Sequence, residues 1–145
     1  MSEQPERESI ISLLSLIGRA QRGHLNAALG EIGIYAGQEV VLWELSRQDG
    51  LCQSYLVERM CVQPPTVSKM LDRMELAGLV RRSPDAEDSR ISRVYLTEQG
   101  RSNLQGVREI WIGLEQRMTE NLTPEERMLL RRLLLQIYEN LSRDA

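Results

Sequence analysis

The side chains of this sequence best equipped for chemistry lie in two short runs, Gln63-Pro-Pro-Thr-Val-Ser-Lys-Met-Leu-Asp-Arg-Met74 and Asp85-Ala-Glu-Asp-Ser-Arg90. What they offer is hydrogen bonding and charge pairing with a polyanion. Pro64 and Pro65 fit the first positions of a helix, where a missing N–H has no intrahelical partner to lose. On a helical wheel Val67, Met70, Leu71 and Met74 gather on one side, with Pro65, Thr66, Lys69 and Arg73 opposite. A surface helix with an apolar back and a front of hydroxyl and cation suits the major groove of DNA. The second run reads as a β-wing with a basic tip.

Other chemistries are poorly served. With one histidine, His24, and two cysteines, Cys52 and Cys61, the residues supply neither a four-ligand metal site nor a histidine-based catalytic centre. No Gly-rich phosphate loop or nucleophile–base pair is legible, so neither an enzyme nor a cofactor is expected. At 145 residues the chain is most simply one domain with a real hydrophobic core. No apolar run approaches the roughly 20 residues that span a bilayer. The N-terminal Glu3, Glu6, Arg7 and Glu8 precede no apolar stretch of signal-peptide type. A soluble, cytoplasmic chain without membrane partners is therefore expected.

Net charge is −3, which read globally counts against nucleic acid. The distribution softens this. Residues 63–94 hold six basic and five acidic side chains, and the remainder holds twelve and sixteen. The local bias is weak, and the residue pattern carries the reading instead.

The elements that must position these runs follow from periodicity. Residues 8–29 repeat Ile10, Leu13, Leu14, Ile17, Leu25 and Leu29 at helical intervals, with a break at Gly30 and Gly33. Gln38 to Gln48 predicts a second helix with Val41, Leu42 and Leu45 inward, ended by Asp49-Gly50. Ser54 to Met60 predicts a third, with Leu56 and Met60 on one face. A turn at Cys61-Val62 leads to a fourth over Pro64 to Leu76, stopped at Ala77-Gly78. Short helix, tight turn and amphipathic helix describe a helix-turn-helix. Val80-Arg-Arg82 and Ser92-Arg-Val-Tyr-Leu96 are strand candidates around a polar turn containing Pro84 and Asp85. Thr97 then caps a long helix with a seam of Leu104, Val107, Trp111, Leu114 and Met118. Thr123-Pro-Glu-Glu126 is a capping box opening the last helix. Its apolar residues, from Leu129 to Leu141, spread too widely for packing on one side, so the helix is expected to pack both on its own domain and on another chain.

In this order, the elements and the runs Pro-Pro-Thr-Val-Ser-Lys-Met-Leu-Asp-Arg-Met-Glu, Ala-Gly-Leu-Val-Arg-Arg, Asp-Ala-Glu-Asp-Ser-Arg and Arg-Val-Tyr-Leu-Thr-Glu-Gln-Gly-Arg resemble the MarR family of bacterial and archaeal transcription regulators. The resemblance covers nearly the whole chain and is densest from Leu51 to Arg101. It implies a mainly α fold: a winged helix-turn-helix lobe over about 38–97, with dimerisation helices over about 8–34 and 98–143, all within a single domain of residues 1–145. It also implies a homodimer on a pseudo-palindromic double-stranded DNA operator, released in many members by a small molecule. Carried over by position, Gln63, Pro65, Thr66, Ser68, Lys69 and Arg73 approach the major groove or its flanking phosphates. Asp88 and Arg90 fill the family's Asp-x-Arg wing motif, the carboxylate bracing an arginine that enters the minor groove or meets the backbone. That role agrees with the affinity of arginine for a narrow, electronegative groove. Arg82 and Arg93, on the wing strands, are expected to contact phosphates.

The chain departs from the family pattern in three places. Cys52 and Tyr55 stand where the third helix usually has its capping box, Cys61 where the turn usually has glycine, and Gln63 where Ser or Thr usually caps the fourth helix. His24, Tyr35 and Trp43 fall near the effector cleft the resemblance implies, where a small aromatic acid would bind; core packing is the alternative for Trp43. Cys52, at a helix N-terminus, invites a redox reading, as does Cys61, whereas a bridge between them would span about 13 Å of helix. The rival to a DNA-binding regulator is a winged-helix adaptor that binds protein and not DNA.

Overall fold

The computed structural model describes residues 9–143. Glu3, Glu6, Arg7 and Glu8, used above against a signal peptide, lie outside these residues, as do the first and last positions of the expected domain. Six helices and three strands are present among the described residues: α1 (Ile10–Glu31), α2 (Gln38–Arg47), β1 (Leu51–Cys52), α3 (Gln53–Met60), α4 (Pro64–Leu76), β2 (Val80–Pro84), β3 (Ser92–Leu96), α5 (Glu98–Met118) and α6 (Pro124–Ser142). The fold is mainly α with a small antiparallel wing. Among the described residues no helix is long and apolar enough to cross a membrane.

The strands run in the order β1-β3-β2. Pairing of β2 with β3 sets Val80 opposite Leu96, Arg82 opposite Val94 and Pro84 opposite Ser92. Pro84, expected in the turn, is thus the last paired residue of an edge strand, where a missing N–H costs no ladder bond. The two-residue β1, pairing Leu51 with Val94, is too short to leave a period-2 signature and was not expected from the sequence.

The chain divides into two compact units, one through Trp111 and one from Ile112. The first holds the core. Leu29 from α1, Ile34, Val41 and Leu42 from α2, Leu56 from α3, Val67, Leu71 and Met74 from α4, Val94 from β3 and Val107 from α5 are all fully buried. The apolar stripes read from periodicity therefore meet in one place. Just past the end of α4, Gly78 has a φ of +76° that suits a residue without Cβ. The Leu79 N–H then reaches back 2.9 Å to the Met74 carbonyl, turning the chain into β2.

In the second unit, the Thr123 hydroxyl accepts from the Glu126 N–H at 3.1 Å and the Glu126 carboxylate accepts from the Thr123 N–H at 2.8 Å. The capping box starts α6 as its residues require. None of the α6 side chains is buried: Met128, Leu129, Leu135, Tyr138 and Leu141 are all more than half exposed.

Candidate nucleic-acid interface

Helix α4 is built from its back. Val67, Leu71 and Met74 sink into the core, which turns Thr66, Lys69 and Arg73 outward. Pro64 and Pro65 occupy the first helical positions; Thr66 and Val67 donate to the Gln63 carbonyl at 3.0 and 3.3 Å. Gln63 makes no side-chain cap, so its amide is not committed to the helix end. Gln63, Pro65, Thr66, Lys69 and Arg73 are exposed and Ser68 is half-buried. Lys69 and Arg73 form no ion pair among the described residues, so both charges face solvent uncompensated.

The wing orders a second cation. Asp85 accepts from the backbone N–H groups of Glu87 and Asp88 at 3.0 and 3.1 Å, an Asx-type turn that shapes the tip. Asp88 in turn accepts from Arg90: backbone N–H at 3.1 Å, Nε at 3.0 Å and Nη2 at 3.1 Å. The fork fixes the guanidinium plane while the Arg90 side chain stays 89% exposed. The hydrogen bonds from the Arg90 side chain and backbone hold the Asp88 carboxyl below its ordinary pKa. A rigid, solvent-facing guanidinium is suited to a narrow groove or a phosphate.

Arg82 and Arg93, the wing-strand arginines expected at phosphates, both have carboxylate partners within the lobe. Arg82 is folded back onto α4. Its Nη2 pairs with Asp72 and, at 3.2 Å, with Glu75, and its backbone N–H donates to Glu75 at 3.0 Å. Burial of the side chain opposes its charge, but the two carboxylates outweigh this and leave its pKa raised. Arg93 pairs through Nε with Asp85 and donates from Nη1 to the Gly50 carbonyl at 2.8 Å. The reason is shape: residue 82 shares a strand face with Val80, toward α4, and Arg93 lies beside β1. The Arg82 side chain stays 20% exposed and that of Arg93 38%.

Cys52 occupies the N-cap of α3 without a side-chain cap bond, its Sγ 3.3 Å from the Ser54 hydroxyl. The Ser54 hydroxyl, then the Tyr55 N–H, lower its thiol pKa; burial opposes them, and the Arg93 charge adds to the lowering. Cys61 is exposed in the turn, and both thiols are free. His24 and Tyr35 are exposed, Tyr35 by 70%, whereas Trp43 is packed with its ring centroid 5.4 Å from that of Trp111 and under the Arg108 guanidinium. The three residues do not share one environment.

Sequence reading overlooked Asp72, Glu75 and Asp85. The Asp85-x-x-Asp88 spacing carries an Asx-turn signal that could have identified the last. Nothing local marks Asp72 and Glu75, because their partner lies across the helix end on the strand.

A family model described as MarR family matches residues 34–92, the stretch that holds the helix-turn-helix and most of the wing. The chain is 33% identical over 96 residues to the transcriptional regulator HosA of Escherichia coli O127:H6, covering 66% of this chain and 71% of that one. It is 32% identical over 101 residues to the HTH-type transcriptional repressor IacR of Pseudomonas putida, covering 70% of this chain but only 60% of that relative's length. A crystal structure of MarR superposes with a TM-score of 0.83 at 24% identity, over 99% of this chain and 95% of that one. A mutant MarR from E. coli complexed with operator DNA superposes with a TM-score of 0.80 at 26% identity, over 94% and 99%.

Proposed function

The chain belongs to the MarR family of transcription regulators, and from that premise we propose that it is a homodimeric repressor that grips a pseudo-palindromic operator through two winged lobes. It is a DNA-binding regulator of transcription. One observation supports the site assignment above the others: Arg90 stands exposed at the wing tip in a two-point fork with Asp88, on the same lobe as the unpaired Lys69 and Arg73. Phosphate neutralisation by these cations supplies affinity, and base-edge contacts from Gln63, Thr66 and Ser68 supply sequence preference. In a dimer the two α4 helices enter successive major grooves about 10–10.5 bp apart.

The second copy supplies what α6 lacks. A helix with no buried residue and exposed Leu129, Leu133, Leu134 and Leu141 requires an apolar cover, and α1 leaves Ile10, Ile11, Leu13 and Ile17 in the same state. Two such faces per protomer fit an obligate dimer. Acting on chromosomal DNA, the regulator works in the cytoplasm, and a small aromatic molecule or an oxidant acting at Cys52 or Cys61 is the signal for release.

The test is a titration of a duplex recovered by the chain from a random pool. Arg90→Ala and Lys69→Ala are expected to weaken binding about tenfold or more while the dimer persists in sedimentation. Unchanged affinity in both variants would remove the site assignment.

A further inference from the structure

Resting on the DNA-binding reading above, we infer that Arg82 is a positioning residue: it fastens the wing to the recognition helix α4 and thereby sets the reach of Arg90, without touching DNA itself. Three bonds join residue 82 to the outer edge of α4, two from the guanidinium to Asp72 and Glu75 and one from the backbone N–H to Glu75. The guanidinium is the part of this clasp that spans the gap. Its side chain is 20% exposed, against 89% for Arg90.

The clasp sits where it governs the wing. Arg82, Ser83 and Pro84 line one side of an open groove whose other side is Ser89, Arg90 and Ile91, so the two arginines belong to one small structure. The tip beyond them is shaped by its own turn, by the Asp88–Arg90 fork and by the Arg93–Asp85 pair. The tip is carried on a hairpin of five-residue strands, β2 and β3, whose β2 side is fastened to α4 by this clasp. Cutting the base free of α4 leaves the Asp88–Arg90 fork intact but spreads the positions it can occupy relative to the helix. Simultaneous engagement of the major groove by α4 and of the neighbouring groove by Arg90 then costs orientational freedom.

The clasp also changes what DNA meets on α4. Asp72 and Glu75 are 56% and 42% exposed carboxylates on the helix that carries Lys69 and Arg73. Arg82 compensates both. Its loss exposes two negative charges beside the phosphates as well as loosening the wing.

The decisive quantity is the affinity lost on Arg90→Gln, measured in several backgrounds by fluorescence anisotropy with a labelled duplex that the wild-type chain selects from a random pool. With the clasp intact, the loss is expected to be about tenfold or more. In the Arg82→Gln background, and separately with Asp72→Asn and Glu75→Gln together, it is expected to fall below about threefold, the non-additivity of coupled residues. Arg82→Lys, whose ammonium can still reach a carboxylate, restores most of the loss. The paired carboxylate variant decides the matter if Arg82→Gln fails to fold, because it breaks the clasp while keeping both chain positions polar. An equal Arg90→Gln penalty in clasped and unclasped chains overturns the inference, since a direct phosphate contact or a purely stabilising pair would give additive losses. If the wild-type chain recovers no duplex at low salt, the regulator reading falls and this inference with it.

Discussion

The Asp88 carboxylate grips the Arg90 guanidinium at two points, Nε to Oδ1 at 3.0 Å and Nη2 to Oδ2 at 3.1 Å, across a separation of two residues. A free arginine samples many rotamers, and the two-point fork favours one of them before any partner arrives. Asp88→Ala keeps the cation but frees it, so binding is expected to weaken by a few-fold, less than the about tenfold or greater loss on Arg90→Ala. Anisotropy titration of both variants checks the order, and a larger loss for Asp88→Ala would mean that the carboxylate does something other than orient.

The same pair fixes a pH dependence. Hydrogen bonds from the Arg90 side chain and backbone lower the Asp88 pKa, so the fork is intact above the ordinary aspartate value and opens only as pH falls through the depressed one. The Arg90→Ala penalty is therefore expected to stay constant from about pH 8 to about pH 5. A penalty that fades within that window contradicts the fork.

Cys61 takes a φ of +52°, the left-handed region that costs any residue with a Cβ. Cys61→Gly removes that strain, offset in part by greater freedom of the unfolded chain. A gain of roughly 0.5–1 kcal/mol in unfolding free energy is expected, with duplex affinity unchanged. Chemical denaturation measures it, and a loss of stability would show that the weak Sγ contact to the Glu58 carbonyl matters more than the backbone.

Gly100 lies where a Cβ would run into the Leu79 backbone carbonyl and meet Leu96 Cδ2 at 3.1 Å. The carbonyl belongs to the turn between α4 and β2 and already accepts from the Thr97 N–H at 3.2 Å, so it cannot retreat. Gly100→Ala is expected to destabilise the chain by about 1–3 kcal/mol through overpacking. An unchanged melting temperature would mean that α5 can shift away from the wing base.

Glu39 is 7% exposed, and its Oε2 has no hydrogen-bond partner among the described residues. Desolvation by burial raises its pKa, against weaker opposing bonds from the Glu39 and Gly37 backbone. The folded chain holds this proton to higher pH than the unfolded one, so stability is lost as pH rises from the ordinary glutamate value through the raised one. Glu39→Gln removes the cost. It is expected to stabilise by roughly 1 kcal/mol at neutral pH, with the advantage disappearing near pH 4. An advantage present equally at both pH values would assign the effect to packing.

Much of this was readable in the sequence because it depends on local spacing. Pro64 and Pro65, the Val67–Leu71–Met74 stripe and the Gly78 stop define α4 to the residue, and the Thr123 capping box defines the start of α6. The Asp88–Arg90 fork was expected through the family resemblance, whose Asp-x-Arg motif these two residues fill, and not from spacing alone. What escaped were relations across the fold. Arg82 and Arg93 look alike on paper, cations on a hairpin beside DNA, yet their strand faces turn them toward Asp72, Glu75 and Asp85. Strand β1 has two residues and no period. Trp43 gains its partner from α5, far along the chain, while Tyr35 on the preceding loop remains in solvent.

The salt dependence of duplex binding is the measurement to make first. A dimeric lobe pair acting through Lys69, Arg73 and Arg90 gives a steep fall of log affinity with log salt, each phosphate contact adding about 0.9 to the slope, and Lys69→Ala flattens it by about that amount per protomer. A weak, salt-indifferent affinity shared by the wild-type chain and the Lys69→Ala variant would contradict DNA recognition by this face and leave the adaptor reading in its place.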